Sequence, residues 1–230
     1  MLESKLLKTQ GRLTRKKIKA KRKFLYYFPE GFEGTKYISW ERDYKWNAHE
    51  EWKKLLNRTV FKQMLAEKQF LEIAKRAIKI ESATNLLFSF EKMAFRDAVK
   101  TNESAQLFAE GLFEYMYGQG SLKEKFDSFR DMLAELPRKQ TRVLTWPLQT
   151  VFGFIAHPTK HIFLKPMVTK AAAKKYDYDL IYKSAPTWET YESMLDFAAT
   201  IKKDINNLKP RDMIDLQSFI WVLGSEEYPD

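Results

Sequence analysis

The chain has 230 residues, of which 44% are hydrophobic and 15% aromatic, with a formal net charge of +10 and no cysteine. That composition excludes a disordered chain, and the absence of thiols excludes disulfides, thiolate catalysis and cysteine-based zinc sites. No apolar run reaches the roughly 18 residues that cross a bilayer, and no continuous apolar stretch marks a signal peptide, so a cytoplasmic protein without a membrane span is expected.

The charge is concentrated at one end. Residues 1–23 carry ten Lys and Arg against Glu3 alone, and the rest of the chain is close to neutral. A basic block on a neutral body is the pattern of a segment that seeks a polyanion. Leu2, Leu6, Leu13 and Ile18 give it only partial helical spacing, so residues 1–23 read as a flexible basic arm. Its candidate phosphate contacts are Arg12, Arg15, Lys16, Lys17, Lys19, Lys21, Arg22 and Lys23.

Residues 24–136 read as a helical domain. Phe24–Tyr37 is an aromatic loop broken by Pro29, Gly31 and Gly34. A helix follows from about Tyr37 to Leu56, with Tyr37, Trp40, Tyr44, Ala48 and Leu55 on one face. Arg42, Trp46, His49 and Lys53 form the opposite stripe. Further helices are expected over about Val60–Ile80, around Leu86–Ala98 and over Glu103–Tyr117, the last stopping at Gly118 and Gly120. Ser121–Glu124 (SLKE) has the spacing of a capping box and opens another helix that ends before Pro137.

Pro137–Arg142 is polar, basic and opened by proline, which marks a boundary. Residues 137–230 then read as a small α+β domain. Gln149–Ala156 and His161–Lys165 are short and apolar with a possible turn, HPTK, between them, and so predict a β-hairpin near 149–165. Asp177–Ser184 is a candidate third strand. Pro166 opens a helix, Thr187–Ile205 is amphipathic, and Pro210 to Gly224 is a last helix, nearly apolar throughout. The expected fold class is predominantly α, with an α+β C-terminal part.

Chemistry-bearing motifs are few. His157 and His161 have the i,i+4 spacing of a zinc pair, but Pro158 keeps His157 out of the α region, so the pair flanks a turn rather than sharing a helical face. No metal and no cofactor is expected. Walker-type, G-x-G-x-x-G and G-x-S-x-G loops are all lacking. Lys160, His161, Lys165, Lys170 and Lys174 cluster around the turn and the helix after it, a second candidate phosphate-binding surface. Arg42, Trp46 and His49 form a third. Arg42 and His49 also resemble the R-x(4–6)-H pattern of HEPN ribonucleases, which implies a metal-independent cut of RNA with those two residues as catalytic groups.

TWPLQT, HPTKHIFLKPMVTKAA, WETY and KPRDMIDLQSFIWVLGSEEY, within about residues 141–229, resemble a family of uncharacterised bacterial proteins and the ends of larger proteins associated with restriction or phage-defence loci. The resemblance implies a bacterial or phage setting and assigns no catalytic residue. The sequence therefore predicts a non-enzymatic nucleic-acid-binding accessory protein, plausible in antiviral defence. The alternatives are a helical ribonuclease and a protein-interaction subunit of a larger complex.

Overall fold

The computed structural model describes residues 14–139 and 142–230. Among them there is no β-strand; the architecture is helical from end to end. α1 (Arg15–Tyr27) is followed by a short 3₁₀ turn at Gly31–Glu33. A single turn at Thr35–Tyr37 then runs through a π-helical turn, Ile38–Arg42, into α2 (Asp43–Leu55). Next come α3 (Arg58–Ala66), α4 (Phe70–Ser82), α5 (Ser89–Ala98), α6 (Asn102–Tyr117) and α7 (Leu122–Glu135). α8 (Trp146–Ala156), α9 (Pro166–Tyr176), α10 (Trp188–Asp204) and α11 (Met213–Gly224) complete the fold.

Local chemistry explains most ends. Ser121 Oγ accepts from Glu124 N–H at 3.2 Å while Glu124 Oε2 accepts from Ser121 N–H at 2.7 Å, the capping box read from SLKE. The expected Val60–Ile80 helix is two, α3 and α4, because Lys68 takes a left-handed φ of 54° and closes α3. Glycine is the usual residue there, so the sequence carried no stop signal.

The expected β-hairpin does not exist. Its first half is α8, in which every residue from Trp146 to Ala156 is buried. A helix buried on all sides shows no 3.6-residue period, so a short apolar run with chance alternation passes for a strand. Thr145 caps it through Leu148 N–H at 3.4 Å, and Pro147 lies in its first turn. HPTK is a turn, with His161 N–H donating to the His157 carbonyl at 3.0 Å, but it joins a helix to an extended segment. That segment finds its hydrogen bonds on helices. Ile162 N–H donates to Tyr191 Oη at 3.1 Å and Leu164 N–H to Thr150 Oγ1 at 3.0 Å. The candidate third strand behaves alike, Ile181 N–H donating to Ser193 Oγ at 3.1 Å and Lys183 N–H to Thr190 Oγ1 at 2.9 Å. Buried hydroxyls on α8 and α10 thus satisfy backbone that a neighbouring strand would otherwise have to serve. The C-terminal region is α-helical, not α+β.

Two hydrophobic clusters organise the core. The first gathers residues of α2 to α8 around Phe61, Phe95, Phe108 and Phe152. The second joins α9, α10 and α11 to the N-terminal residues Ala20, Phe24, Phe28, Phe32 and Tyr37. Hence α1 lies against the C-terminal helices, its Phe24 ring 5.2 Å from that of Phe219. Gly224 permits a close crossing of α9 and α11, since a Cβ there would meet the Val168 carbonyl oxygen.

Candidate nucleic-acid interface

α1 is basic and docked. Thr14 caps it, Ala20 and Phe24 face inward, and the remaining positions hold most of its charge. Several of those charges are paired across the chain. Lys16 meets Asp177 at 2.6 Å, Lys17 meets Asp204 at 2.8 Å, and Lys21 donates to Asn207 Oδ1 at 2.7 Å. Lys23 and Lys175 share the carboxylate of Asp230 at 2.7 and 3.0 Å. Hydrogen bonds from those two lysines hold the Asp230 carboxyl down at about 2.

Arg15, Lys19 and Arg22 are different. They are exposed and have no acidic partner among the described residues. Their spacing of four and three puts them on one stripe of the helix, which Tyr26, 78% exposed, continues. Lys16, Lys19 and Lys23 face Lys174 and Lys175 of α9 across a groove of about 420 Å³ floored by Ala20, Ala171 and Leu223. A second concavity beside it is lined by Arg22, Tyr26, Tyr27 and Pro229. Asp230 shows what this surface does with an oxyanion: two lysine ammonium groups close on one carboxylate.

Other residues singled out in the sequence lie elsewhere. Arg12 falls outside the described residues. Lys160 is exposed on the HPTK turn, and Lys170 lies over the Tyr182 ring at 4.9 Å. His161 is buried, its Nδ1 facing the hydroxyls of Tyr115 at 3.2 Å and Tyr191 at 3.3 Å. Burial, helped by neighbouring His157, drops its pKa to about 3, so it is neutral. His157 Nε2 lies 3.2 Å from the Met116 carbonyl and the two imidazole centroids are 6.3 Å apart. Among the described residues no cluster of three His, Asp or Glu side chains is placed to hold a metal ion. Lys165 is buried too, donating to the Leu86 carbonyl at 3.1 Å and to Glu91 at 3.3 Å, with its ammonium 3.3 Å from the Phe88 ring centroid.

Of the Arg42 stripe, Arg42 itself is held inside by two acids at the start of α11. Arg42 makes a two-pronged contact with Asp212, at 3.0 and 2.7 Å, and a third bond to Asp215 at 2.8 Å. Asp215 is fully buried and also accepts from Tyr37 Oη at 2.7 Å and from Arg211 Nε at 2.8 Å. Burial opposes the Arg42 charge, yet Asp212 and Asp215 hold its pKa above the ordinary arginine value. One turn on, Lys45 is buried against Glu41 at 3.0 Å and Ser218 at 2.8 Å. Trp46 does sit between Arg42 and His49, about 5.0 Å from each. His49 Nδ1 is 2.8 Å from the Ile155 carbonyl, an acceptor, so Nδ1 carries the proton.

A pocket that sequence reading missed lies on the other side of the π-helical turn. About 270 Å³ in volume, it is walled by aromatic residues from α2, α11 and the segment after it. Its carboxylates are Glu41 and Glu227. Gln217 lines it, and the Gln217 amide oxygen is buried without a hydrogen-bond partner among the described residues. The aromatic residues looked like core, and no spacing rule joins Trp40 to Trp221.

No helix among the described residues is long and apolar enough to cross a membrane. Comparison of the chain with protein-family models, curated proteins and solved structures finds no match.

Proposed function

We propose that the chain binds the phosphate backbone of a nucleic acid along the ridge that α1 makes beside α9. The observation that carries this reading is the exposed stripe Arg15, Lys19 and Arg22, without an acidic partner among the described residues, whose Lys19 lines a groove in which two further lysines already hold a carboxylate. Lysine stems make the groove apolar below and cationic at the rim, which suits an oxyanion whose sugar or base adds apolar contact. Binding of this kind is strongly salt-dependent and largely indifferent to sequence. The ribonuclease alternative draws less from the geometry, because the Arg42 guanidinium already serves two carboxylates.

The test is charge reversal. The triple variant Arg15→Glu, Lys19→Glu, Arg22→Glu should bind labelled single-stranded DNA or RNA at least about tenfold more weakly than the parent chain at low salt, with unchanged helicity. Equal binding by the two proteins removes the ridge from the account.

A second reading, a subunit of a larger assembly, is favoured by one observation. Phe88, Phe90 and Met167 are 54%, 49% and 73% exposed and line one groove of about 340 Å³. Self-association or capture of a partner that Phe88→Ser and Met167→Ser abolish together would support it. A monomer unaffected by both changes, with no partner in its own cells, would remove it.

A further inference from the structure

The aromatic pocket beside the π-helical turn has the properties of a built binding site. The wide turn, Ile38–Arg42, contributes Trp40 and Glu41 to it, and such turns recur at functional sites. Trp40 is 57% exposed, a large aromatic left at the mouth rather than folded into the core. Tyr44, Phe163, Trp221 and Tyr228 complete the walls. Two polar side chains line this space with hydrogen-bonding capacity unused. Gln217 is 4% exposed, and its buried amide oxygen has no partner among the described residues. Glu227 receives one bond, from Trp221 Nε1 at 3.1 Å, and a carboxylate can accept about four. Glu41 is already engaged by Lys45 at 3.0 Å and by Tyr228 Oη at 2.6 Å, so it braces the wall.

The pocket therefore offers flat apolar walls and unfilled acceptors. The segment after α11 ties it to the basic ridge. Tyr228 lines the pocket and Asp230 lies in the lysine groove, two residues and at most about 7 Å of backbone apart. Tyr27 of α1 holds this segment, donating to the Pro229 carbonyl at 2.6 Å and meeting the Tyr228 ring edge-on at 4.9 Å. The pocket and the groove are therefore joined by one short segment of chain. Guanine carries a ring N–H and an exocyclic NH₂ side by side on its Watson–Crick edge, which match a carboxylate with free lone pairs, and an unpaired base can stack on exposed tryptophan. Resting on the reading of α1 as a phosphate-binding ridge, we infer that this pocket receives an unpaired guanine of a single strand whose backbone follows that ridge. Glu227 and Gln217 accept from its edge, and Trp40 and Trp221 stack on its faces.

The test compares binding by the full chain of short labelled oligothymidines that are uniform, that carry one central guanine, or that carry one central hypoxanthine, which lacks the exocyclic amine. The guanine oligomer should bind about tenfold more tightly than the uniform one, and hypoxanthine should lose most of that gain. Glu227→Gln, an exposed and conservative change, should erase the preference for guanine, read as the ratio of the two affinities, without weakening binding of the uniform oligomer, since it removes a negative charge. Gln217→Met, which keeps the side-chain length, should do the same. Equal affinity for all three oligomers, with binding still lost in the α1 triple variant, overturns the pocket and leaves the ridge. If no oligomer binds, the ridge reading fails, and tryptophan fluorescence then decides on the pocket alone. Saturable quenching by guanosine monophosphate, absent with uridine monophosphate and lost in Glu227→Gln, supports it. Quenching by neither nucleotide, by both alike, or by arginine amide instead overturns it, the last in favour of a cationic peptide side chain.

Discussion

Arg42 and Arg22 both lie on helical segments rich in lysine and aromatic residues, yet the structure uses them in opposite ways. Arg42 is 8% exposed and is held by Asp212 and Asp215 from the far end of the chain. Arg22 is exposed, with no acidic partner among the described residues. The difference lies in the long-range partner. Asp212 accepts from Ile214 and Asp215 N–H as an N-cap and takes Arg42 on the same carboxylate, so one residue both starts α11 and fixes the entry to α2. Buried charge here belongs to the scaffold, while Arg15, Lys19 and Arg22 on α1 meet no acidic side chain among the described residues.

The largest effect should come from breaking the buried set. Asp215→Ala takes a buried acceptor from Arg42 and Tyr37 and should destabilise the fold by about 3–5 kcal/mol in urea denaturation. A loss below about 1 kcal/mol would mean that the cluster is solvated and the contrast with α1 is false. His161 gives a pH-dependent version of the same point. Its folded pKa of about 3 lies below the unfolded value near 6.5, so the unfolded chain takes up the proton first as pH falls. Stability attributable to this neutral histidine is therefore full above pH 6.5 and is lost progressively towards pH 3. Relative to His161→Gln, the native chain should lose on the order of a few kcal/mol across that window; parallel curves would contradict it. Gly153→Ala is expected to be milder. The new Cβ would fall 2.7 Å from His161 Nδ1 and 2.9 Å from the Tyr115 hydroxyl, an overpacking that costs about 1–3 kcal/mol. The smallest effect on stability belongs to the ridge: neutralising Arg15, Lys19 and Arg22 should change unfolding by no more than about 0.5 kcal/mol per position.

Much of the helical content was legible because amphipathic helices such as α7 and α10 carry their period and their caps in the sequence. Ser121 and Glu124, Thr187 and Pro166 each marked a start that the structure keeps. α8 was not legible, since a helix with all faces buried has no polar face to show a period. The two extended segments read as strands because their own residues are strand-like, and the Thr150, Tyr191, Ser193 and Thr190 hydroxyls that serve them lie up to 29 residues away. At the site, the charge of α1 could be read directly from composition. The inward turn of Glu41 and Lys45 could not, because an i,i+4 ion pair has the same spacing on a solvent face as in a core. The aromatic pocket draws on α2, the loop before α5 and α11, and so appears only once they are folded together.

Whether α1 contacts phosphates is tested most directly by the salt dependence of single-strand affinity for the full chain and for its Arg15→Ala, Lys19→Ala, Arg22→Ala variant. Each lost phosphate contact lowers the slope of log affinity against log salt by about 0.7, so the variant should show a slope shallower by about 2. An identical slope in the two proteins would contradict the account.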